Sequence, residues 1–132
     1  MNCLLDTRIL IWAATSPEKL PKKTTRILLA TEINVFVSTV TFWEIAFKYA
    51  IGKLDLKVLT PEDFPKASLD MGFESLPLSV EDASTYYRLN FEDHRDPFDR
   101  MLAWQAIRHE LTLITEDPDF KAYIPSGLQL LK

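Results

Sequence analysis

The sequence predicts an α/β fold, a three-layer α/β/α sandwich around a central, mostly parallel sheet of about five strands. Short apolar or β-branched segments have the pattern of buried strands, and longer segments with helical periodicity lie between them. Strands that alternate with helices favour a parallel sheet, because each helix carries the chain back to the same edge. The chain has 132 residues, of which 47% are hydrophobic, enough to bury the core of one domain over residues 1–132.

The predicted strands cover residues 2–5, 34–38, 73–78, 111–115 and 128–131. The predicted helices cover residues 7–14, 22–31, 41–51, 62–70, 80–90 and 97–110. Thr41 is predicted to begin the third helix, where Glu44 completes a capping box and pairs with Lys48 one turn later. No repeat or Gly/Ser linker divides the chain, which indicates one continuous domain.

The scarce residue types exclude several classes of site. With 3 glycines the chain cannot contain a Walker P-loop, a dinucleotide fingerprint or a G-x-S-x-G elbow. With 1 cysteine and 2 histidines it cannot assemble a tetrahedral zinc site, so a bound metal must have oxygen ligands. A formal charge of -4 argues against binding nucleic acid over a broad basic surface. No signal peptide or long apolar run is present, so we expect a cytoplasmic protein without a membrane partner.

The predicted third helix has two apolar stripes. One stripe consists of Phe42, Ile45, Ala46 and Tyr49, and the other of Trp43, Phe47 and Ala50. Either the helix is buried on both sides within the domain, or one stripe is reserved for a partner chain. All three tryptophans, Trp12, Trp43 and Trp104, fall on predicted helices, which favours an oligomer because large aromatic residues are enriched at interfaces.

Acidic residues follow the strands at the edge where a parallel sheet binds its ligands. Asp6 follows the first strand, Glu44 lies in the helix after the second, Asp117 follows the fourth, and Asp96 and Asp99 begin the last helix. Each has a structural alternative: Asp6 and Asp96 as helix caps, Glu44 in its capping box and ion pair, and Asp117 as a turn residue. Carboxylates that converge at one edge repel each other unless a hard cation is bound. The pattern therefore favours Mg²⁺ or Mn²⁺ and a phosphate ester substrate.

Four segments carry a resemblance to a known family. They are LLDTRILIW at 4–12, VSTVTFWEIAFKYAIGKL at 37–54, HRDPFDRMLAWQA at 94–106 and LTLITEDPDFKAY at 111–123. In order and separation they resemble the PIN-domain ribonucleases, specifically the VapC-like toxins of type II toxin–antitoxin pairs. The resemblance implies that Mg²⁺ or Mn²⁺ is held by four acids: Asp6, Glu44, Asp99 and Asp117.

The same resemblance assigns further residues. Asp96 is an accessory acid and an alternative third ligand, although we favour Asp99, with Asp96 as the helix cap. Ser38 and Thr115 match hydroxyl positions that orient ligands or water. Arg8 departs from the histidine usual in this branch of the family. Trp104 likewise replaces a small residue.

The function that follows is a metal-dependent endoribonuclease, in which an activated water attacks the phosphodiester and leaves 5′-phosphate and 3′-hydroxyl ends. Candidates for contacting RNA phosphates are Arg8, Lys48, Arg95 and Arg100. The expected partners are an RNA substrate, a cognate antitoxin and a second copy of the chain. The alternatives are a Mg²⁺-binding receiver-like module and a catalytically silent PIN module that acts by binding a protein.

Overall fold

The computed structural model describes residues 1–89 and 96–131. Within those ranges a five-stranded sheet has the order β3-β2-β1-β4-β5, and every neighbouring pair is parallel. The strands are β1 Asn2–Leu5, β2 Asn34–Ser38, β3 Glu74–Leu76, β4 Thr112–Ile114 and β5 Gln129–Leu130. The helices are α1 Thr7–Thr15, α2 Lys22–Leu29, α3 Thr39–Ala50, α4 Phe64–Asp70, α5 Val80–Thr85 and α6 Pro97–Arg108. The predicted α/β class and central sheet are confirmed.

Two hydrophobic cores, one on each face of the sheet, give the fold its three layers. Cys3 and Leu5 of β1 pack in the core that includes residues of α1, α3 and α4. Leu4 belongs to the opposite core, which is formed largely by α6 and the Pro118–Ser126 segment. Successive strand residues point to opposite faces, so apolar residues at consecutive positions are what a sheet covered on both sides requires.

Several predicted boundaries are corrected by the structure. Helix α3 begins at Thr39, with the Ser38 side chain accepting a hydrogen bond from the Val40 amide at 3.0 Å, so Thr41 is not the cap. The predicted helix over residues 80–90 is α5 followed by a 3-10 turn at Tyr86–Arg88. Its predicted end at Asn90 lies outside the described residues. The 3-10 segment Pro118–Ser126 was not predicted, because Pro125 breaks the helical pattern.

The three tryptophans, which were expected to favour an oligomer, differ in their exposure. Trp43 is 62% exposed, and its stripe neighbours Phe47 and Ala50 are exposed with it. Trp104 is half-buried and donates to the Thr85 hydroxyl at 3.1 Å. Trp12 is also half-buried. The stripe of Trp43 and Phe47 is therefore exposed, and Tyr49 of the other stripe is 42% exposed as well.

The strand order places a crevice beside β1. β2 and β3 lie on one side of β1 in the sheet, and β4 and β5 lie on the other side. The carboxyl ends of β1 and β4 therefore diverge into connections on opposite sides, which is where open α/β sheets bind ligands. This order also differs from the 2-1-3-4-5 order of receiver-like domains, and it counts against that alternative.

Candidate active site

Asp6 lies at the crevice between β1 and β4. Its amide donates to the Ile114 carbonyl at 3.0 Å, which extends the pairing of β1 with β4 by one step. Its Oδ1 accepts from the Ile9 amide at 2.9 Å as the cap of α1, and its Oδ2 accepts from the Thr115 hydroxyl. Burial raises the pKa of Asp6 to about 6 in spite of these hydrogen bonds. Asp6 is therefore a helix cap that also presents a carboxyl group to the crevice.

Glu44 is held in α3 by contacts to both of its oxygens. Glu44 is buried, with 3% of its surface exposed. Oε1 accepts from the Thr7 hydroxyl at 2.5 Å, and Oε2 accepts from Lys48. The Glu44–Lys48 ion pair expected from their spacing is confirmed. Thr7 was not identified from the sequence; the signal was its place directly after Asp6, at the start of a helix.

The start of α6 brings two acids to the same edge. Asp96 caps the helix, because its Oδ1 accepts from the amides of Phe98 at 2.9 Å and Asp99 at 3.2 Å. One carboxylate oxygen from each of Glu44, Asp96 and Asp99 lies within 4.8 Å of the others. Burial, followed by the charges of Asp96, Glu44 and Asp6, raises the pKa of Asp99 to about 8. The structure thus brings both candidates for the third ligand to the cluster.

Asp117 enters the site from the end of β4. Its amide donates to the Thr115 hydroxyl oxygen at 3.0 Å, and its Oδ1 accepts from the Asp119 amide at 2.9 Å. It begins the Pro118–Ser126 segment, so the predicted turn role and a place in the site coexist in one residue.

Four of these acids, Asp6, Glu44, Asp99 and Asp117, line one cavity. Its volume is about 260 Å³. It is lined by Asp6, Thr7, Arg8, Ile11, Trp12, Glu44, Lys48, Leu54, Asp55, Asp99 and Asp117. All four acids of the expected quartet are in this set, together with Arg8. Asp55 and Trp12 were not identified from the sequence, and Asp55 lies in a loop where an isolated acid carries no signal.

Other expected residues lie elsewhere or act differently. The Ser38 side chain is fully buried and donates to Gln105 Oε1 at 2.5 Å, so it joins β2 to α6 instead of facing the lining of the cavity. Arg8 is exposed, with its guanidinium 5.8 Å from the centre of the Trp12 ring, and remains a candidate for binding phosphate.

Arg100 does not fit the expected role in phosphate binding. It is 1% exposed and donates to the Leu89 carbonyl at 3.1 Å and to the Tyr123 hydroxyl at 3.2 Å. This is a core contact, so the expectation was wrong. The expectation for Arg95 falls outside the described residues.

The donor set fits a divalent hard cation. Carboxylate oxygens are the ligands that Mg²⁺ and Mn²⁺ prefer. Burial first, and then the charges of the neighbouring acids, raise the pKa of Asp99, and a cation bound between the acids would offset their repulsion. Glu44, Asp96 and Asp99 have carboxylate oxygens within 4.8 Å of one another, and Asp6 and Asp117 line the same cavity as Glu44 and Asp99. These five acids are the candidates to hold such a cation.

Comparison with known proteins identifies the family. The family model of the PIN domain matches residues 3–124. The chain belongs to the PIN domain family. A search among curated proteins found no significant match.

Solved structures share the PIN fold along the whole chain. A chain of the VapBC2 complex from Rickettsia felis, bound to a promoter DNA fragment, superposes with a TM-score of 0.68 at 22% identity, covering 99% of this chain and 98% of that one. A chain of DNA-bound VapBC from Salmonella typhimurium gives 0.68 at 21% identity, covering 99% and 97%. A chain of FitAcB from Neisseria gonorrhoeae gives 0.66 at 20% identity, covering 100% and 97%.

Proposed function

We propose that this PIN domain is a Mg²⁺- or Mn²⁺-dependent endoribonuclease, the toxin of a toxin–antitoxin pair. The observation that carries the proposal is the convergence of Asp6, Glu44, Asp99 and Asp117 on one cavity at the carboxyl edge of the sheet. These acids come from four separate segments, and helix capping alone does not require them to meet.

In this proposal the residues of the cavity have separate roles in phosphodiester hydrolysis. A bound divalent cation supplies polarisation of a phosphoryl oxygen and a more acidic water. Thr115 and the Ile9 amide hold the Asp6 carboxyl in place, and Thr7 does the same for Glu44. Arg8, exposed at the cavity wall, is placed to pair with a phosphate of the RNA backbone. Hydrolysis leaves a 5′-phosphate and a 3′-hydroxyl end.

The direct test is cleavage of structured RNAs by the purified chain. We expect activity in millimolar Mg²⁺ or Mn²⁺, no activity in EDTA, and a loss of about a hundredfold or more in Asp6→Asn. Asp70→Asn is the matched control, because Asp70 is an exposed acid of α4 paired with Lys66. RNA cleavage that persists in EDTA, or that Asp6→Asn leaves intact, would overturn the mechanism.

An antitoxin is the first proposed protein partner. The solved structures similar to this chain include VapBC toxin–antitoxin complexes, and this similarity supports the same arrangement here. We expect a small protein encoded beside this chain to co-purify with it and to abolish RNA cleavage when added back. Such a pair acts in the cytoplasm, on cellular RNA. In the described ranges none of the helices has the length and apolar character needed to cross a bilayer.

A second copy of the chain is the other proposed partner. Trp43 and Phe47 are 62% and 48% exposed on α3, and Ile51 just beyond the helix is 50% exposed. An exposed apolar group of this kind is typical of a protein contact. Light scattering should show a dimer at micromolar concentration that Trp43→Ser weakens. A monomeric wild-type chain at that concentration would contradict the assignment.

A further inference from the structure

Lys48 places an ammonium group among the acids of the proposed metal site. It lies one turn after Glu44 on α3, lines the same cavity, and donates a hydrogen bond to Glu44 Oε2. Its Nζ is also 3.6 Å from Oδ2 of Asp96, at the start of α6. Lys48 therefore neutralises carboxylates from two different helices.

Its partner Glu44 offers no uncommitted oxygen. Oε1 accepts from Thr7, Oε2 accepts from Lys48, and the side chain is 4% exposed. A cation bound by Glu44 must therefore share or replace one of these contacts. The Thr7 hydroxyl is neutral, whereas the Lys48 ammonium is positively charged and repels an incoming cation. The cation is therefore expected to replace the contact between Lys48 and Glu44 and to leave the Thr7 contact in place.

The Lys48 ammonium can take another position without movement of the helix, because other groups that attract it lie nearby. Its Nζ lies over the ring of Phe98, 5.9 Å from the ring centre, and near Asp96. An ammonium released from Glu44 keeps the attraction of the Asp96 carboxylate and of the aromatic face. When the ammonium leaves Glu44, it therefore loses one partner and keeps two that it already contacts, Asp96 and the ring of Phe98.

A second lysine–acid ion pair at this spacing, on α4, shows how Lys48 differs from an ordinary helix pair. Lys66 and Asp70 are 2.8 Å apart on α4, with side chains 81% and 63% exposed. An exposed pair of this kind contributes little to stability and blocks no other ligand. The Lys48 pair instead has one partner that is buried in the wall of the cavity.

We propose that Lys48 competes with the divalent cation for Oε2 of Glu44, so that metal binding displaces its ammonium from this oxygen. The inference rests on the proposed function of the site and adds a residue that sets its metal affinity. Lys48 is a positioning residue in this scheme, because it acts through Glu44. It also keeps the acids together when the concentration of divalent cation is low.

Calorimetric titration of the chelator-treated full chain with Mn²⁺ tests the competition. We expect Lys48→Met, which keeps most of the aliphatic stem, to bind Mn²⁺ about tenfold more tightly than the wild type. Lys66→Met is the matched control, because it removes the same charge from the exposed pair, and its affinity should equal that of the wild type.

A second measurement reports displacement in the wild-type chain itself. Acetic anhydride modifies lysine amines, and peptide mass spectrometry gives the rate at each site. We expect Lys48 to be acetylated several times faster in Mn²⁺ than in EDTA, while the rate at Lys66 stays the same. This readout decides the matter if Lys48→Met does not fold.

The outcomes separate the two proposals. Equal Mn²⁺ affinity in the wild type and Lys48→Met, or an acetylation rate at Lys48 that does not respond to Mn²⁺, overturns the competition and leaves the nuclease assignment standing. A wild-type chain that binds no Mn²⁺ overturns both.

Discussion

The hydroxyl of Thr115 connects two acids of the site. It donates to Oδ2 of Asp6 and accepts from the amide of Asp117 at 3.0 Å. Asp6 follows β1 and Asp117 follows β4, so one side chain sets the relative placement of carboxylates that are distant in sequence. This geometry fits the ligand-orienting role expected for Thr115.

Replacing that hydroxyl should weaken metal binding without unfolding the chain. In Thr115→Val the Asp6 carboxyl loses a hydrogen bond while the side-chain volume is kept, and loss of such an orienting partner typically costs about 10–100-fold in metal affinity. Mn²⁺ calorimetry and RNA cleavage should both show the loss. Thr31→Val, at an exposed turn, is the control. Wild-type Mn²⁺ affinity in Thr115→Val would show that Asp6 needs no such support.

The site residues that could be identified from the sequence are those whose position relative to a predicted strand or helix indicates a role. Acids after strands and at helix starts could be located because the end of a strand marks the ligand edge of a parallel sheet. Thr7 could not be identified in this way, because it contacts the site through one oxygen of Glu44. Lys48 was expected to pair with Glu44 and was a candidate for RNA phosphates, but the spacing did not show that its ammonium occupies Oε2 of Glu44. Ser38 also sits at a strand end, but its hydroxyl is used by Gln105 and the cap of α3.

At the scale of helices and strands, the buried carboxylate of Asp82 connects α5 to α6 through hydrogen bonds and an ion pair. Asp82 is fully buried and contacts Arg108 at 2.9 Å, Gln105 at 3.0 Å and His109 at 3.1 Å. Burial alone would raise the pKa of Asp82, but the hydrogen bonds from Gln105 and His109 outweigh it and hold the pKa below its ordinary value. Gln105 also accepts from Ser38, so the network ties α5, α6 and the end of β2 together.

Breaking this network should destabilise the fold. Asp82→Ala leaves Arg108 and Gln105 without their buried partner, and we expect the free energy of unfolding to fall by about 3 kcal/mol. Asp70→Ala removes an acid from the exposed pair and should cost less than about 0.5 kcal/mol. Urea denaturation at neutral pH measures both. Similar losses in the two variants would mean that the Asp82 network adds no more than a surface pair.

Helix boundaries were predicted less well than the helices themselves, and α3 shows why. Its apolar periodicity located it, but both Ser38 and Thr41 are good caps by residue type. In the structure Ser38 caps the helix, and the Thr41 hydroxyl instead accepts from the Thr7 hydroxyl at 3.4 Å. The faces of α3 were also ambiguous, because apolar residues on two sides of a helix do not show which side the domain covers.

For the whole molecule, the acids make stability depend on pH and metal together. The pKa of Asp6 is raised to about 6 and that of Asp99 to about 8, both by burial first. The folded chain therefore binds more protons than the unfolded chain from about pH 4 upward. This contribution to stability is complete below pH 4 and is lost as the pH rises through 6 and then 8.

The measurement is the melting temperature in EDTA and in millimolar Mg²⁺ between pH 5 and pH 8. A cation bound by the ionised acids stabilises the folded chain by mass action, so the difference between Mg²⁺ and EDTA should widen by several degrees toward pH 8. Asp99→Asn removes the acid whose pKa is raised further than that of Asp6, and it should narrow the difference. Equal melting temperatures in Mg²⁺ and in EDTA at every pH would count against a metal site.

The overall architecture was predictable because it rests on patterns repeated along the chain. All five strands in the described part of the chain were located, and the parallel arrangement followed from the alternation of strands and helices. The order β3-β2-β1-β4-β5 does not follow from composition or periodicity, since these do not say on which side of β1 the later strands add. The crevice between β1 and β4 depends on that order.

The pairing of β1 with β4 also has a consequence during protein synthesis. Asp6 is translated before the other acids of the site, whereas Thr115 and Asp117, which complete its surroundings, are translated after them. A nascent chain that has not yet released β4 lacks one wall of the cavity. The proposed active site is therefore not complete until translation has passed β4.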